Sequence, residues 1–185
     1  MVDVGLLQSL SYVAAAIGVC VAAVYYAMNL RELNRNRRIT LTSTMMQPFM
    51  TQEGSRQFID LVNMDWKDLD DFMRRYDSRI NPENFSKRMS MWNICENMGR
   101  LYREGLIDLE TLYGGSNGAI QWMWVKFKPV IEMYRKTEFS RHAYEDFEYV
   151  VGKLDEFHKK KYGEDYDGGR LERVLREHED AQKTS

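Results

Sequence analysis

The residues with the most obvious catalytic spacing are Gly114-Gly115-Ser116-Asn117-Gly118, near the middle of a chain of 185 residues. They match the G-x-S-x-G pattern, in which a strained strand-to-helix turn exposes a serine hydroxyl as a nucleophile. That turn requires a strand before the serine, whereas the preceding residues 108–113 are helical in character. A glycine-rich linker between two helices explains the match better than a serine hydrolase does.

Metal chemistry has little support, because the chain contains three histidines and two widely separated cysteines, Cys20 and Cys95. Asp155 and His158 share one helical face, but one pair is an incomplete metal site, and we interpret it as a surface hydrogen bond. Neither a di-iron pattern, a zinc-protease pattern nor a phosphate-binding glycine loop occurs in the sequence. We therefore expect no bound cofactor or metal ion, and a non-enzyme more than an enzyme.

A polar cluster on a predicted helix has two interpretations. It consists of Asn93, Glu96, Asn97 and Arg100, in which Glu96 and Arg100 are helical neighbours four residues apart. If this edge is buried, the four side chains form a network that fixes the packing or binds a small ligand, as an unrecognised enzyme would require. If it is exposed, they form a solvated face, which is the more common case.

The overall charge excludes some partners. The 26 basic and 28 acidic residues give a net charge of −2, so we expect no binding to nucleic acid. An apolar fraction of 44% is too high for a disordered chain, and the length suits one modest domain.

The N-terminal region is the strongest signal in the sequence. Residues 4–30 carry no charge, and as a helix they extend about 40 Å, against a hydrocarbon thickness of about 30 Å. Asp3 stands where a cleaved signal peptide has positive charges, so we predict a retained single-pass transmembrane helix. A cleaved signal and a buried soluble helix are the alternatives.

Charges after the span predict its orientation. Arg31, Arg35, Arg37 and Arg38, with Glu32, give a local net charge of +3. The positive-inside rule then places the N-terminus outside and the C-terminal domain in the cytoplasm. The arginines can also hold anionic lipid headgroups of the bilayer.

Small residues on the span predict helix packing. Ala14, Gly18 and Ala22 are four residues apart, which favours close approach of two membrane helices. A homo-oligomer or a larger membrane complex is therefore expected, although small residues are also common in membrane helices generally.

The rest of the chain has helical periodicity and no strand-like segment, which predicts an all-α fold. The span continues into a stalk, with a kink or end near Pro48, and a compact cytoplasmic helical bundle follows. Asp65 is expected to cap a short helix, and Asn81 with Pro82 to begin a long one. A later helix runs through residues 120–127, and Pro129 is expected to interrupt it without necessarily ending it. The other predicted helices cover residues 55–64, 82–104, 108–113 and 140–162.

The C-terminal region is predicted to be a charged linker followed by a short amphipathic helix. Leu171, Val174 and Leu175 form a narrow apolar stripe on this helix. A helix of 13 residues is marginal alone, so we expect it to dock on the body or on a neighbouring subunit. The predicted segments are a transmembrane helix (4–30), a basic juxtamembrane stalk (31–53), a helical domain (54–162) and the tail (163–185).

Several short motifs occur in an order that resembles a known family. They are Asp65-Trp66-Lys67-Asp68, Asn81-Pro82-Glu83, the run 92–99, the run 105–108 and the run 122–131. The chain thus resembles, over residues 12–149, a prokaryotic family of single-pass membrane-anchored helical proteins known only as a domain of unknown function. The resemblance implies an anchored all-α cytoplasmic domain and transfers no catalytic residue. The charged tail from Lys159 lies outside it.

These observations favour a non-enzymatic single-pass membrane protein whose helical domain mediates homo-oligomeric assembly or scaffolding. A small accessory subunit of a larger membrane complex is the alternative. An oligomeric pore and an unrecognised enzyme are less expected.

Overall fold

The computed structural model describes residues 4–116, 118–163 and 165–166, and these residues form seven helices and no strand. The predicted all-α class is confirmed. The chain divides into two compact units, Met1–Thr40 and Leu41–Ser185. The helices are α1 Val4–Met50, α2 Gln52–Val62, α3 Leu69–Tyr76, α4 Pro82–Arg103, α5 Leu109–Ser116, α6 Ala119–Thr137 and α7 Glu145–Tyr162.

The first unit is the N-terminal part of α1. By length and composition α1 can cross a membrane, and no side chain of its most apolar stretch is buried. A signal sequence near an N-terminus has the same properties. Ala14, Gly18 and Ala22 lie in this helix and are exposed. The basic cluster of Arg31, Arg35, Arg37 and Arg38 is exposed as well.

In the second unit a tight turn joins α1 to α2. Pro48 is inside α1, which ends two residues later at Met50. The Thr51 hydroxyl accepts the Gly54 N–H at 3.0 Å and caps α2, which begins three residues before the predicted start. A Cβ at Gly54 would lie 1.4 Å from the Pro48 carbonyl oxygen, so the turn excludes every other residue type.

The residue that immediately precedes each helix caps α3 and α4. Asn81 accepts the Asn84 N–H at 3.0 Å and Pro82 occupies the first turn, so the predicted beginning of α4 is confirmed. For α3 the predicted cap was wrong, because Asp68 rather than Asp65 accepts the Asp71 N–H, at 2.8 Å. Asp65 instead contributes its backbone carbonyl, which accepts hydrogen bonds from Arg75 and Tyr76.

The predicted glycine linker is shorter than expected. Gly114, Gly115 and Ser116 belong to α5, and the chain turns at Gly118, whose φ is +82°. Such a left-handed conformation favours glycine. From there α6 passes Pro129 without ending, as predicted.

The last described helix begins later than predicted, at Glu145 rather than at residue 140. Residues 141–144 form a turn that ends at Tyr144, a non-glycine residue with φ +62°. The predicted docking residues Leu171, Val174 and Leu175 lie outside the described residues.

The core of the second unit is built mainly by α4, α6 and α7. Trp124 is buried, whereas Trp122 is only half-buried. The fully buried large side chains include Trp92, Met98, Phe127, Tyr134, Phe147 and Leu154.

Candidate functional site

An apolar groove of about 420 Å³ opens on the second unit. Four segments surround it: the end of α1, the middle of α2, the end of α5 and the beginning of α6. Its lining residues are Phe49, Met50, Ser55, Phe58, Ile59, Gly115, Ser116, Ala119 and Trp122.

Aromatic rings form one wall of the groove. Phe58 stacks on Trp122 with ring centroids 6.3 Å apart, and Phe49 meets Phe58 edge to face at 6.2 Å. Met50 and Ile59 remain 64% and 55% exposed. A contiguous apolar surface of this kind is typical of a binding site for an apolar segment or ligand.

Small residues and local hydrogen bonds produce the shape of the groove. The turn at Gly54 brings α2 back beside the end of α1, and the Ser55 hydroxyl donates to the Phe49 carbonyl at 3.0 Å. At Gly115 a Cβ would lie 3.3 Å from the Met46 side chain. A larger residue at this position would therefore project into the groove or displace Met46.

Ser116 lines the groove without the geometry of a nucleophile elbow. It is buried in the last turn of α5, and its hydroxyl donates to the Tyr113 carbonyl at 3.4 Å. In the part of the chain that the structure describes, a helix rather than a strand precedes it. The strained turn that exposes a catalytic serine is therefore not formed here.

A second polar arrangement occurs where α4 packs against the beginning of α7. We call it the α4–α7 seam and define it by Asn93, Glu96, Gly99, Arg100 and Arg103 of α4, with Tyr144, Asp146 and Phe147. Glu96 Oε2 accepts the Phe147 N–H at 2.8 Å. Asp146 pairs with Arg103 at 2.8 Å and with Arg100 at 3.5 Å.

A further hydrogen bond of the seam joins α4 to the residue that precedes α7. The Tyr144 hydroxyl donates to Asn93 Oδ1 at 3.4 Å. Asn93, Asn97 and Arg100 are exposed, and Glu96 is half-buried. Three residues of the predicted polar cluster, Asn93, Glu96 and Arg100, therefore meet the beginning of α7.

The seam supplies a helix cap from a distant part of the chain. Tyr144, at the N-cap position of α7, makes no side-chain capping hydrogen bond, so the helix depends on Glu96 for one of its unpaired N–H groups. A Cβ at Gly99 would lie 1.9 Å from the Asp146 carbonyl oxygen. Only glycine at this position lets the two helices approach so closely.

Burial shifts the acidity of two seam residues. Desolvation raises the pKa of Glu96, an effect that the hydrogen bond from the Phe147 N–H opposes and that Asp146 reinforces. Burial, with a contribution from the charge of Glu96, raises the pKa of Tyr144 to about 12. Because Glu96 and Asp146 are paired with other groups of the seam, they fix the packing of α7. The same carboxylates are then not available to bind a ligand.

Sequence reasoning missed a buried cation. Arg88 is fully buried, and its Nη2 donates to the Tyr76 carbonyl at 2.6 Å. The guanidinium carbon is 4.5 Å from the Phe72 ring centroid and 5.5 Å from that of Trp92. Within the described chain its Nε and Nη1 have no hydrogen-bond partner, and burial lowers its pKa. The aromatic rings thus stabilise the positive charge by cation–π interactions, where a buried arginine more often pairs with a carboxylate.

Asp155 and His158 have separate partners. Asp155 accepts a hydrogen bond from Gln121 at 3.1 Å, and His158 Nδ1 shares one with the Tyr113 hydroxyl at 2.6 Å. Among the described residues no three His, Cys, Asp or Glu side chains are placed to hold a metal ion.

The groove is the other feature that sequence reasoning did not predict. The sequence contains one signal for it: Trp122 and Trp124 are two residues apart, so on a helix they face different sides. Trp124 is in the core and Trp122 lines the groove.

Comparison with known proteins identifies the family of the chain. No curated protein and no solved structure matches the chain. Residues 12–154 match the family described as "Domain of unknown function (DUF4760)". This match covers most of the chain and confirms the expected relation to a family of unknown function. The protein therefore belongs to the DUF4760 family.

Proposed function

We propose that the protein is a non-enzymatic single-pass membrane protein whose α-helical domain assembles into homo-oligomers at the membrane. One observation carries this proposal: the most apolar stretch of α1 has no buried side chain. Exposing apolar surface to water costs about 25 cal/mol per Å², whereas a bilayer accepts the same surface without that cost.

The charges beside this stretch support an orientation. Arg31, Arg35, Arg37 and Arg38 follow the apolar residues and are exposed. Positive charges of this kind are retained on the cytoplasmic side. The N-terminus is then outside, and the second unit is in the cytoplasm.

Small residues on α1 support assembly. Ala14, Gly18 and Ala22 lie one helical turn apart, and a Cβ at Gly18 would meet no atom within 4 Å. A larger residue at this face therefore disturbs nothing in the isolated chain. A change in assembly caused by such a substitution reports a contact with another molecule.

Labelling of introduced cysteines tests the orientation. In a Cys20→Ala background, Val2→Cys and Ser43→Cys place single thiols before and after residues 4–30; Ser43 is exposed and Cys95 is buried. A membrane-impermeant maleimide should label Val2→Cys in intact cells and Ser43→Cys only after permeabilisation. The reverse pattern overturns the orientation, and loss of residues 4–30 from the mature protein overturns the anchor.

Native mass spectrometry of the full-length protein in mild detergent tests the assembly. Ala14→Ile and Gly18→Ile should convert a defined homo-oligomer to monomer. Ala16→Ile, on the opposite side of the helix, is the matched control and should leave the oligomer intact. A monomeric wild-type protein contradicts homo-oligomeric assembly. A monomer bound to unrelated large subunits supports the accessory-subunit alternative instead.

A further inference from the structure

We propose that the apolar groove binds a segment of the same chain, residues 170–182. The groove is open in the described structure, and Ile59 and Met50 on its surface are largely exposed. The proposal rests on where the chain leaves the described structure and on the pattern of the residues that follow.

The last described residue lies beside the groove. The Tyr166 hydroxyl would be 2.7 Å from a Cβ at Gly118, and the Tyr166 ring is 5.3 Å from that of His158. Gly118 immediately precedes Ala119 and follows Ser116 by two residues, and both of these line the groove. The tail therefore begins next to the α5 and α6 side of the groove.

The length of chain is sufficient to reach the groove. Leu171 is five residues beyond Tyr166, and five extended residues span at most about 17 Å. This length is enough for Leu171 to reach the part of the groove beside Ala119.

The tail has the pattern that such a groove accepts. Leu171, Val174 and Leu175 are spaced as the anchors of a helix that binds in an apolar groove. A helix of 13 residues is marginal alone, so it requires an apolar surface to become stable. The aromatic wall of Phe58 and Trp122 provides one.

The short connection favours binding within one molecule over binding between copies. A short linker gives the tail an effective concentration in the millimolar range. The groove is therefore mostly filled by its own tail whenever the Kd for the tail lies below that concentration. A partner that uses the groove must then displace the tail. This inference does not depend on the transmembrane assembly proposed above.

Disulfide trapping in the full-length protein tests the contact. In a Cys20→Ala background, Ile59→Cys is combined in turn with Leu171→Cys, Arg173→Cys, Val174→Cys, Leu175→Cys and Arg176→Cys. We expect rapid crosslinking at 171, 174 and 175, slow crosslinking at 173 and 176, and products that migrate as monomers. Ile80→Cys is the matched control, because Ile80 is also exposed, at 65%, and does not line the groove.

Two results of this experiment overturn the proposal. Equal crosslinking at all five tail positions shows that the tail visits the groove without docking in it. Crosslinked dimers in place of monomers show that the occupant is the tail of a second copy.

Limited proteolysis provides an independent measurement without cysteines. Docking should protect Arg173 and Arg176 from trypsin, and Ile59→Glu or Leu171→Asp should increase the cleavage rate at these residues by about tenfold or more. Ile80→Glu should not change the rate. Unchanged cleavage in both Ile59→Glu and Leu171→Asp contradicts the proposal.

Discussion

The α4–α7 seam and the apolar groove are built from the same helical bundle in opposite ways. At the seam, Glu96 and Asp146 have hydrogen-bond or ionic partners, and Gly99 allows backbone contact between two helices. At the groove the side chains are apolar apart from Ser55 and Ser116, and Ile59 and Met50 are more than half exposed.

This difference distinguishes residues that stabilise the fold from residues that are available for binding. A residue of the seam already has its partners, so changing it should affect stability first. A residue of the groove has few partners within the described bundle, so changing it should affect binding and leave stability almost unchanged.

The largest expected effect is at the closest contact of the seam. Gly99→Ala should lower the free energy of unfolding by about 3 kcal/mol, because its Cβ would meet the Asp146 carbonyl oxygen at 1.9 Å and force the helices apart. Chemical unfolding of the full-length protein in mild detergent, followed by tryptophan fluorescence, measures this change.

Gly152→Ala is the matched control on the other helix of the seam. Gly152 lies inside α7 with no atom within 4 Å of a Cβ, so alanine there should raise the free energy of unfolding by about 0.5–1 kcal/mol. If both substitutions have the same sign, the close contact at Gly99 does not exist in solution.

A smaller effect is expected from the charge of the Glu96 cap. Burial raises its pKa above the ordinary 4.5, so the folded protein holds a proton that the unfolded chain releases. The stability gained from this proton is complete below pH 4.5 and is lost as the pH rises above it. Relative to wild type, Glu96→Gln should therefore become more favourable as the pH rises from 4 to 7 in unfolding experiments.

Asp77 provides a control of opposite sign. Hydrogen bonds from the Arg79 side chain and backbone lower the pKa of Asp77 below the ordinary 3.8. Its contribution is present above pH 3.8 and is lost as the pH falls. Asp77→Asn should therefore lose stability relative to wild type as the pH rises toward 3.8, and the difference should stay constant above that pH. Parallel trends for the two variants contradict the electrostatic account of the seam.

The smallest effect is expected at the groove. In a chain that ends at Tyr166 and so has no tail to dock, Ile59→Glu and Met50→Ser replace exposed side chains, and each should change the free energy of unfolding by no more than about 0.5 kcal/mol. Thermal unfolding of the two variants measures this. A loss as large as that of Gly99→Ala would show that the groove is part of the folded core rather than a binding surface.

Local signals in the sequence predicted those parts of the fold that depend on local interactions. The beginning of α4 was predicted because Asn81 and Pro82 both act on the turn that follows them. The beginning of α7 was predicted about five residues early, because its cap comes from Glu96, 51 residues away. No pattern near residue 145 contains that information.

The candidate site was less predictable than the fold for the same reason. The groove requires four segments to meet, and the turn at Gly54 that brings two of them together has no distinctive composition. An arginine in an amphipathic helix is expected on the surface, yet Arg88 is enclosed by aromatic side chains from α3 and α4. In the Gly114–Ser116 stretch, glycine content suggested a linker, but α5 continues through it.

The position of Trp122 has a practical consequence. Trp92 and Trp124 are buried in the core, whereas Trp66 and Trp122 are half-buried. Of these two, Trp122 stacks on Phe58 in the wall of the groove. A small aqueous quencher such as acrylamide should reach this indole when the groove is empty and be excluded when it is filled. In a Trp66→Phe variant, Trp122 is the half-buried tryptophan that remains, and stopped-flow quenching of its fluorescence then measures the time course of groove occupancy without an added label.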